Sequence, residues 1–441
     1  MQKKIAIIGT GISGLACAHF LHRNFNVTLF EKDRRIGGHS NTVTVKENGK
    51  HLPLDTGFMV YNEVTYPHLT RLFKELEVET KPTEMSFSVQ HIPADVEFNG
   101  GSLNLLFAQR KNLFRARYWK MLLQINRFNK ETVEELANPQ YGDLSLADYV
   151  KARGYGEDFL NWYLSPMAAA VWSSPPERIN DFPARTLMRF WHNHGFLGLD
   201  TQHPWRTVVD GSRQYVEKII TPFKTQIVTE NPVRTVSAEN KVTLADGSSQ
   251  HFDQIIFASH GDQSLKLLES PTPLESDILC HFNYQPNRAV VHTDPRYMPQ
   301  TKRAWASWNY RIEPSGKHST HYWMNSLQGV SENENYFVSI NPPGEIAPEK
   351  IHHELEYEHP VFSSAAIKAQ DRIPDLNFDG NHTNRFYCGA WQRYGFHEDG
   401  IWSAHRLCEQ ILNQDPWRQV DRASPVLPIK SGLALNSEIP A

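Results

Sequence analysis

The chain has 441 residues, is 40% hydrophobic and 21% charged, and carries a formal net charge of −4. That length holds two or three domains' worth of chain and a large core, while the near-neutral balance excludes a global attraction to nucleic acid. No apolar run approaches the roughly 18 residues of a spanning helix, and the scattered Cys17, Cys280, Cys388 and Cys408 fit no metal spacing, so reduced thiols in a cytoplasmic protein are expected.

Ile5 to Ile8 is a short apolar run suited to a buried parallel strand. Gly9, Gly11 and Gly14 follow as G-x-G-x-x-G and open a helix expected over 12–24. In this pattern the glycines serve the tight turn, the approach of a pyrophosphate and the helix–strand packing, and the helix start faces the phosphates with its N–H groups. A second strand is expected over 27–30, ending in Glu31, where an acid accepts hydrogen bonds from ribose hydroxyls. Lys3, Lys4 and the small residues at 16–18 mimic a secretory leader, but the second strand and Glu31 continue the fold without a break. Six residues beyond Glu31 comes Gly37-Gly38. NAD dehydrogenases need no glycines there, whereas an extended FAD needs the chain to pass close to its ribityl and flavin. A hairpin of 42–46 and 51–54 turned at Asn48-Gly49 precedes "LDTGFMVYN".

From Gly101 to Lys130 seven basic residues (Arg110, Lys111, Arg115, Arg117, Lys120, Arg127, Lys130) occur without an acid, interleaved with Leu113, Phe114, Tyr118, Trp119, Met121, Leu122 and Leu123. This composition suits either an anionic membrane surface or an ordinary amphipathic helix with a solvated face. Helices are expected at 112–137, 145–153 with a Ser145 cap, 157–170 and 183–194. His192 and His194 diverge on the last of these, which makes them poor joint metal ligands; no metal site is expected there, at His352-His353 or elsewhere. "GSRQYVEKII" reads as a helix capped by Ser212, followed by strands at 226–229, 233–236, 241–244 and 254–259 with a hairpin signal at Asp246-Gly247. Short strands then recur in "NRAVVHT", "RAWASWNYR" and "THYWMNS". Alternation places Trp308 and Tyr310 on one face and Trp305 and Asn309 on the other, either as wall of an apolar slot or as cross-strand packing. "RFYCGAW" reads as a strand leaving through Gly389, and a helix over 400–412 follows with Asp399 as its capping acid. Neither a G-x-S-x-G elbow nor a second G-x-G-x-x-G occurs, which disfavours a serine hydrolase and a reductase that docks both FAD and NAD(P)H.

Together "GTGISGL", "GGHSNTV", "DTGFMVYNEVTYPHL", "DGSRQYVEKI", "AWASWNY" and "GAWQRYGFHEDGIWSA" resemble the FAD-dependent amine oxidase, protoporphyrinogen oxidase and phytoene desaturase superfamily. Within it they look like a subgroup of predicted NAD/FAD-binding proteins associated with cyclopropane fatty acid synthase. The resemblance implies an α/β fold: a Rossmann-like FAD-binding domain of glutathione-reductase-like, amine oxidase type over 1–75, 205–275 and 375–415, an interleaved α+β substrate domain over 76–204 and 276–374, and a loose tail over 416–441. It implies non-covalent FAD. Gly9, Gly11, Ile12, Ser13 and Gly14 would hold the pyrophosphate, and Glu31 and Lys32 the adenosine ribose. Gly38, His39, Ser40, Asn41, Gly57, Phe58 and Met59 would lie near the flavin and ribityl, Val233 at the adenine, and Asp399 at the ribitol, with Gly389, Glu398 and Ile401 completing the set. The superfamily usually has arginine where this chain has His39, so the support of the ribityl differs.

The implied chemistry is hydride transfer from an apolar substrate to the flavin, with Trp308, Tyr310, Tyr322 and His397 as candidate catalytic side chains. An unsaturated acyl chain, desaturated or isomerised, is the favoured substrate. An amine oxidase releasing hydrogen peroxide and a non-redox flavin-binding partner of a lipid-modifying methyltransferase are the alternatives. Expected partners are a small-molecule or lipid substrate, an anionic membrane surface at the inner face, and a cyclopropane-synthase-like methyltransferase, with no nucleic acid.

Overall fold

The computed structural model describes residues 2–141, 144–198, 201–378 and 382–418. The opening apolar run forms strand Lys4–Ile8, the centre of a five-stranded, all-parallel sheet in the order Ile227–Val228, Asn26–Phe30, Lys4–Ile8, Gln254–Phe257, Arg385–Tyr387. Successive side chains point to opposite faces of a strand, and both faces here are covered. Ile5 and Ile7 join a core shared with helices Ile12–Leu21, Arg213–Ile220 and His397–Leu412. Ala6 and Ile8 join another beneath the three-stranded antiparallel sheet Val233–Val236, Lys241–Leu244, Ser249–His251 and helix Pro273–Leu279. The central strand is therefore apolar at every position from Ile5 on.

A seven-stranded sheet lies beside it, in the order Ile351–Val361, Asn283–His292, Phe337–Ile340, His318–Trp323, Trp308–Ile312, Phe87–His91, Val96–Asn99. It is antiparallel except where Trp308–Ile312 pairs with Phe87–His91. Helices between residues 116 and 193 pack on it around Trp308, Tyr310, Ile312, Phe159, Leu187 and Trp191.

Several elements differ from the sequence reading. The first helix ends at Leu21. Ser212 does not cap its helix; its hydroxyl instead donates to Asp55, 2.8 Å away. The Asp246-Gly247 turn joins Lys241–Leu244 to the short strand Ser249–His251, not to 254–257. The basic segment starts as a 3-10 turn, Arg110–Phe114, and becomes α-helical at Ala116. The helix expected over 157–170 passes through a π segment, Leu160–Leu164, ahead of Ser165–Trp172. Pro166 supplies no N–H there, and the wider turn absorbs the missing bond. Of "RAWASWNYR" only Trp308 onward is strand; of "THYWMNS" the end becomes helix Met324–Gln328. Trp417 packs edge-on against Phe20 at 4.7 Å. The tail reading lies outside the described residues from 419 on. Among the described residues no helix is long and apolar enough to cross a membrane.

Candidate active site

The carboxyl ends of the parallel strands open on a cavity of about 1030 Å³ that extends to the second sheet. This exceeds the space a drug-sized ligand takes and leaves room for a dinucleotide and a second molecule.

Gly9, Gly11, Ile12 and Ser13 form one end. A Cβ on Gly14 would stand 2.0 Å from the Gly9 carbonyl oxygen, so this glycine is set by helix–strand packing; one on Gly11 would meet nothing within 4 Å. Helix Ile12–Leu21 starts with no capping side chain and no acid in its first turn. Its leading N–H groups and positive dipole end thus face the cavity uncompensated, which fits a pyrophosphate. Glu31 accepts the Thr10 and Asp33 N–H groups, each at 3.1 Å, and the Thr10 hydroxyl. The carboxylate ties the glycine turn to the second strand and keeps lone pairs for ribose hydroxyls. Lys32 and Val233 also line this end. Ser259, His260, Gln263 and Lys266 were not picked out from sequence. Their signal was available: the apolar run 254–257 ends in a small-residue turn at the carboxyl edge of a parallel sheet, where ligands collect.

In the middle stand Gly38, His39, Gly57, Phe58, Met59 and Gly389 with Tyr357 and His359. A Cβ on Gly57 would lie 2.3 Å from the His39 carbonyl oxygen. The His39 ring stacks on Tyr357 at 4.8 Å. Burial, together with His359, His260, His397 and Arg35, holds it neutral, well below the usual histidine range. Its Nε2 has no hydrogen-bond partner among the described residues. Phe58 stacks on His397 at 3.9 Å, and burial lowers His397 to about 3. The Ser40 hydroxyl lies 2.8 Å from His397 Nε2 and contacts the Tyr215 hydroxyl.

The far end is aromatic. Phe190 is 4.0 Å from His194, 5.1 Å from Trp172 and 5.2 Å from Phe396 by ring centroid. Trp308 and Tyr322 present near-parallel rings at 6.4 Å. The Trp172 indole donates to the Tyr394 carbonyl at 3.1 Å, pinning the segment that precedes the last helix. Burial lowers His194 to about 4, so it is neutral, and its Nδ1 lies 2.9 Å from the Phe190 carbonyl oxygen.

Gly14, Ser40, Asn41, Tyr310, Glu398, Asp399 and Ile401 stand behind the wall rather than on it. Asn41 donates to the Tyr357 hydroxyl at 3.0 Å. Tyr310 is buried among the helices, and Ile401 is in the core under the parallel sheet. Glu398 accepts the His68 and Leu69 N–H groups at 3.1 and 3.0 Å and pairs with His68 Nδ1 at 2.7 Å, so it caps helix Pro67–Glu75. Asp399 accepts the Phe396 N–H at 2.9 Å, within its own helix start. Burial raises it to about 6, against the opposing pull of Arg393. Among the described residues no group of three or more His, Cys, Asp or Glu can hold a metal ion.

The model of the flavin containing amine oxidoreductase family matches residues 12–309, well over half the chain. The chain belongs to this family. Its cofactor is FAD, which the glycine turn, the uncapped helix and Glu31 fit. The expected amine oxidase-type α/β fold is the observed one. A coproporphyrinogen III oxidase of Staphylococcus aureus is 24% identical over 189 residues, covering 41% of this chain and 38% of that protein. A putrescine oxidase bound to putrescine superposes with a TM-score of 0.65 at 13% identity, over 94% of this chain and 100% of the other. A CLA-producing fatty acid isomerase from P. acnes gives 0.63 at 13% identity, over 93% and 98%.

Proposed function

We propose that this flavoprotein is an FAD-dependent oxidoreductase acting on an apolar substrate, an unsaturated fatty acyl chain, as a desaturase or isomerase. One observation carries the reading: away from the glycine turn the cavity is walled by Trp172, Phe190, Phe196, Trp308, Tyr322 and Phe396, while its cations, Lys32, Arg35 and Lys266, come from other segments. The acids on the wall, Glu31, Asp33, Glu356 and Glu358, belong to the end of the second strand and to the edge strand Ile351–Val361. Burying a charged substrate group without a partner is costly, whereas an acyl chain gains about 0.8 kcal/mol per methylene. The fold also serves a fatty acid isomerase.

When bound, FAD supplies the acceptor for a hydride from an allylic C–H and, in an isomerase, returns it. The rest falls to the chain. The uncapped helix start and Glu31 would fix the dinucleotide. Neutral His39, Phe58 and His397 would separate the polar half of the cavity from the aromatic half. The aromatic rings exclude water and hold the acyl chain in one orientation. Neutral His397 and neutral His39, both on the cavity wall, are the candidates for holding a proton beside the reacting groups.

The test is anaerobic incubation of the FAD-loaded protein with unsaturated fatty acids and phospholipids. The proposal expects bleaching of the flavin or an isomerised or newly desaturated product by mass spectrometry; neither would remove it. The aromatic rings also favour a second reading, amine oxidation, because ring faces attract an ammonium ion. Hydrogen peroxide released on a panel of amines, with unsaturated lipids inert, would establish that reading instead.

A further inference from the structure

Among the described residues seven large hydrophobic side chains are exposed, and five of them fall between residues 103 and 123: Leu103, Leu113, Phe114, Trp119 and Leu123. Phe114 is 90% exposed, Leu103 69% and Leu123 67%. Leu113, Phe114, Trp119 and Leu123 lie on two adjoining elements. The Trp119 indole donates to the Leu113 carbonyl at 2.9 Å, joining the 3-10 turn Arg110–Phe114 to helix Ala116–Ala137, and its ring lies 5.0 Å from that of Phe107. The inward face of this helix is already supplied by Tyr118, Met121 and Phe128. Trp119 and Leu123, four residues apart on the outward face, leave 45% and 67% of their surface to solvent.

The rim is cationic. Lys111 and Arg115 pair with Asp95, and Arg117 pairs with Asp158. Arg110 donates only to Asn104 and to the Phe107 carbonyl, and Lys120 has no acidic partner among the described residues. A contiguous apolar patch on a protein surface marks an interaction site, and its occupant follows from the charge. In a two-fold pair the patch would meet itself, bringing two cationic rims together, which disfavours a second copy. Anionic headgroups over an apolar interior match both features, with an aromatic at the boundary. The helix rests on strands Phe87–His91 and Val96–Asn99 through Val89, Phe98 and Met121. Phe87–His91 pairs with the strand that carries Trp308 of the cavity wall.

We infer that this face docks on an anionic lipid bilayer, with Phe114, Trp119 and Leu123 entering the interfacial zone and Arg110 and Lys120 meeting headgroup phosphates. The inference does not depend on the acyl-chain reading, because the surface would hold the protein at a bilayer whatever it oxidises. The experiment is co-sedimentation of the FAD-loaded full chain with phosphatidylcholine vesicles with and without phosphatidylglycerol, at low and high salt. Expected is binding to the phosphatidylglycerol vesicles that weakens as salt rises. The exposed substitutions Phe114→Ser with Leu123→Ser, and separately Arg110→Glu with Lys120→Glu, should each reduce binding roughly tenfold or more. Flavin absorbance should stay at wild-type values in both, because neither pair lines the cavity; thermal unfolding should be unchanged for the Phe114/Leu123 pair and fall slightly for the Arg110/Lys120 pair, which loses the Arg110 bonds to Asn104 and the Phe107 carbonyl. Absence of binding by the wild type, or variants that bind as well as it does, overturns the inference. So does light scattering that finds a dimer abolished by Phe114→Ser and no vesicle binding, which would make the face a contact between copies.

Discussion

Gly11 and Gly14 stand three positions apart and differ in what a methyl group would meet. At Gly14 it would meet the Gly9 carbonyl at 2.0 Å, and at Gly11 only the cavity. Gly11→Ala should therefore fold with an unchanged apoprotein melting temperature and lose FAD affinity by about tenfold or more, since the added carbon occupies the pyrophosphate's approach. Gly14→Ala should lose both stability and flavin. Flavin content and thermal unfolding of the two variants decide this, and a Gly11→Ala protein that retains FAD like the wild type would contradict the assignment. These glycines were readable because the chemistry lies in a local spacing followed by Glu31. Phe190, Trp172 and Phe396 were not, since they come from two helices and a loop distant in sequence. On a helix, an aromatic that lines a cavity has the same periodicity as one that fills a core.

The start of the last helix gathers several demands in three residues. His397 faces the cavity, Glu398 caps a neighbouring helix and Asp399 closes its own first turn. Replacing Glu398 by Ala leaves the His68 and Leu69 N–H groups without their acceptor. Unfolding should cost about 2–3 kcal/mol less, while flavin content stays at the wild-type level because Glu398 is off the cavity wall. Loss of flavin at unchanged stability would return this residue to the cofactor site. Helices with a clear apolar stripe were anticipated within a few residues, as at Ala184–Asn193. The strand Ile351–Val361 was not. It is a sheet edge in which Leu355 and Tyr357 alternate with exposed Glu354, Glu356 and Glu358, and the glutamates and Pro360 lower the strand propensity by which strands are recognised. The strands at 87–91 and 96–99 were not anticipated either: they are short, and although Phe87, Val89, Val96 and Phe98 alternate with Ser88, Gln90, Glu97 and Asn99, the polar partners are buried too.

Across the molecule, His194, His359 and His292 are each lowered to about 4 and His397 to about 3, in every case first by burial. In the unfolded chain each binds a proton near pH 6.5. Below that pH the unfolded state holds more protons, so their contribution to stability is full above pH 6.5 and is lost as the pH falls. At pH 5 each forfeits about 2 kcal/mol. Asp399 acts in the opposite sense, because its folded form, raised to about 6, retains a proton that the unfolded form has released. Acidification to pH 5 therefore returns about 1 kcal/mol through that group. The histidines dominate, and the melting temperature should fall by roughly 10 °C between pH 7 and pH 5; a flat profile would mean that these rings are solvated in solution.

At the same scale, the five-stranded sheet draws its strands from residues 4–30, 227–257 and 385–387. Apolar runs flagged each of these segments in the sequence, but their neighbours in the sheet follow from contacts that no local pattern encodes. The central claim is that one cavity holds FAD at the glycine turn and an acyl chain among the aromatics. Its most direct test is a crystal structure of the chain with FAD and a monounsaturated fatty acid. The pyrophosphate should meet the N–H groups of Ile12 and Ser13, and the acyl chain should lie between Phe190, Trp308 and Phe396. A nicotinamide dinucleotide on the glycine turn, or an aromatic chamber that excludes the fatty acid, would contradict it.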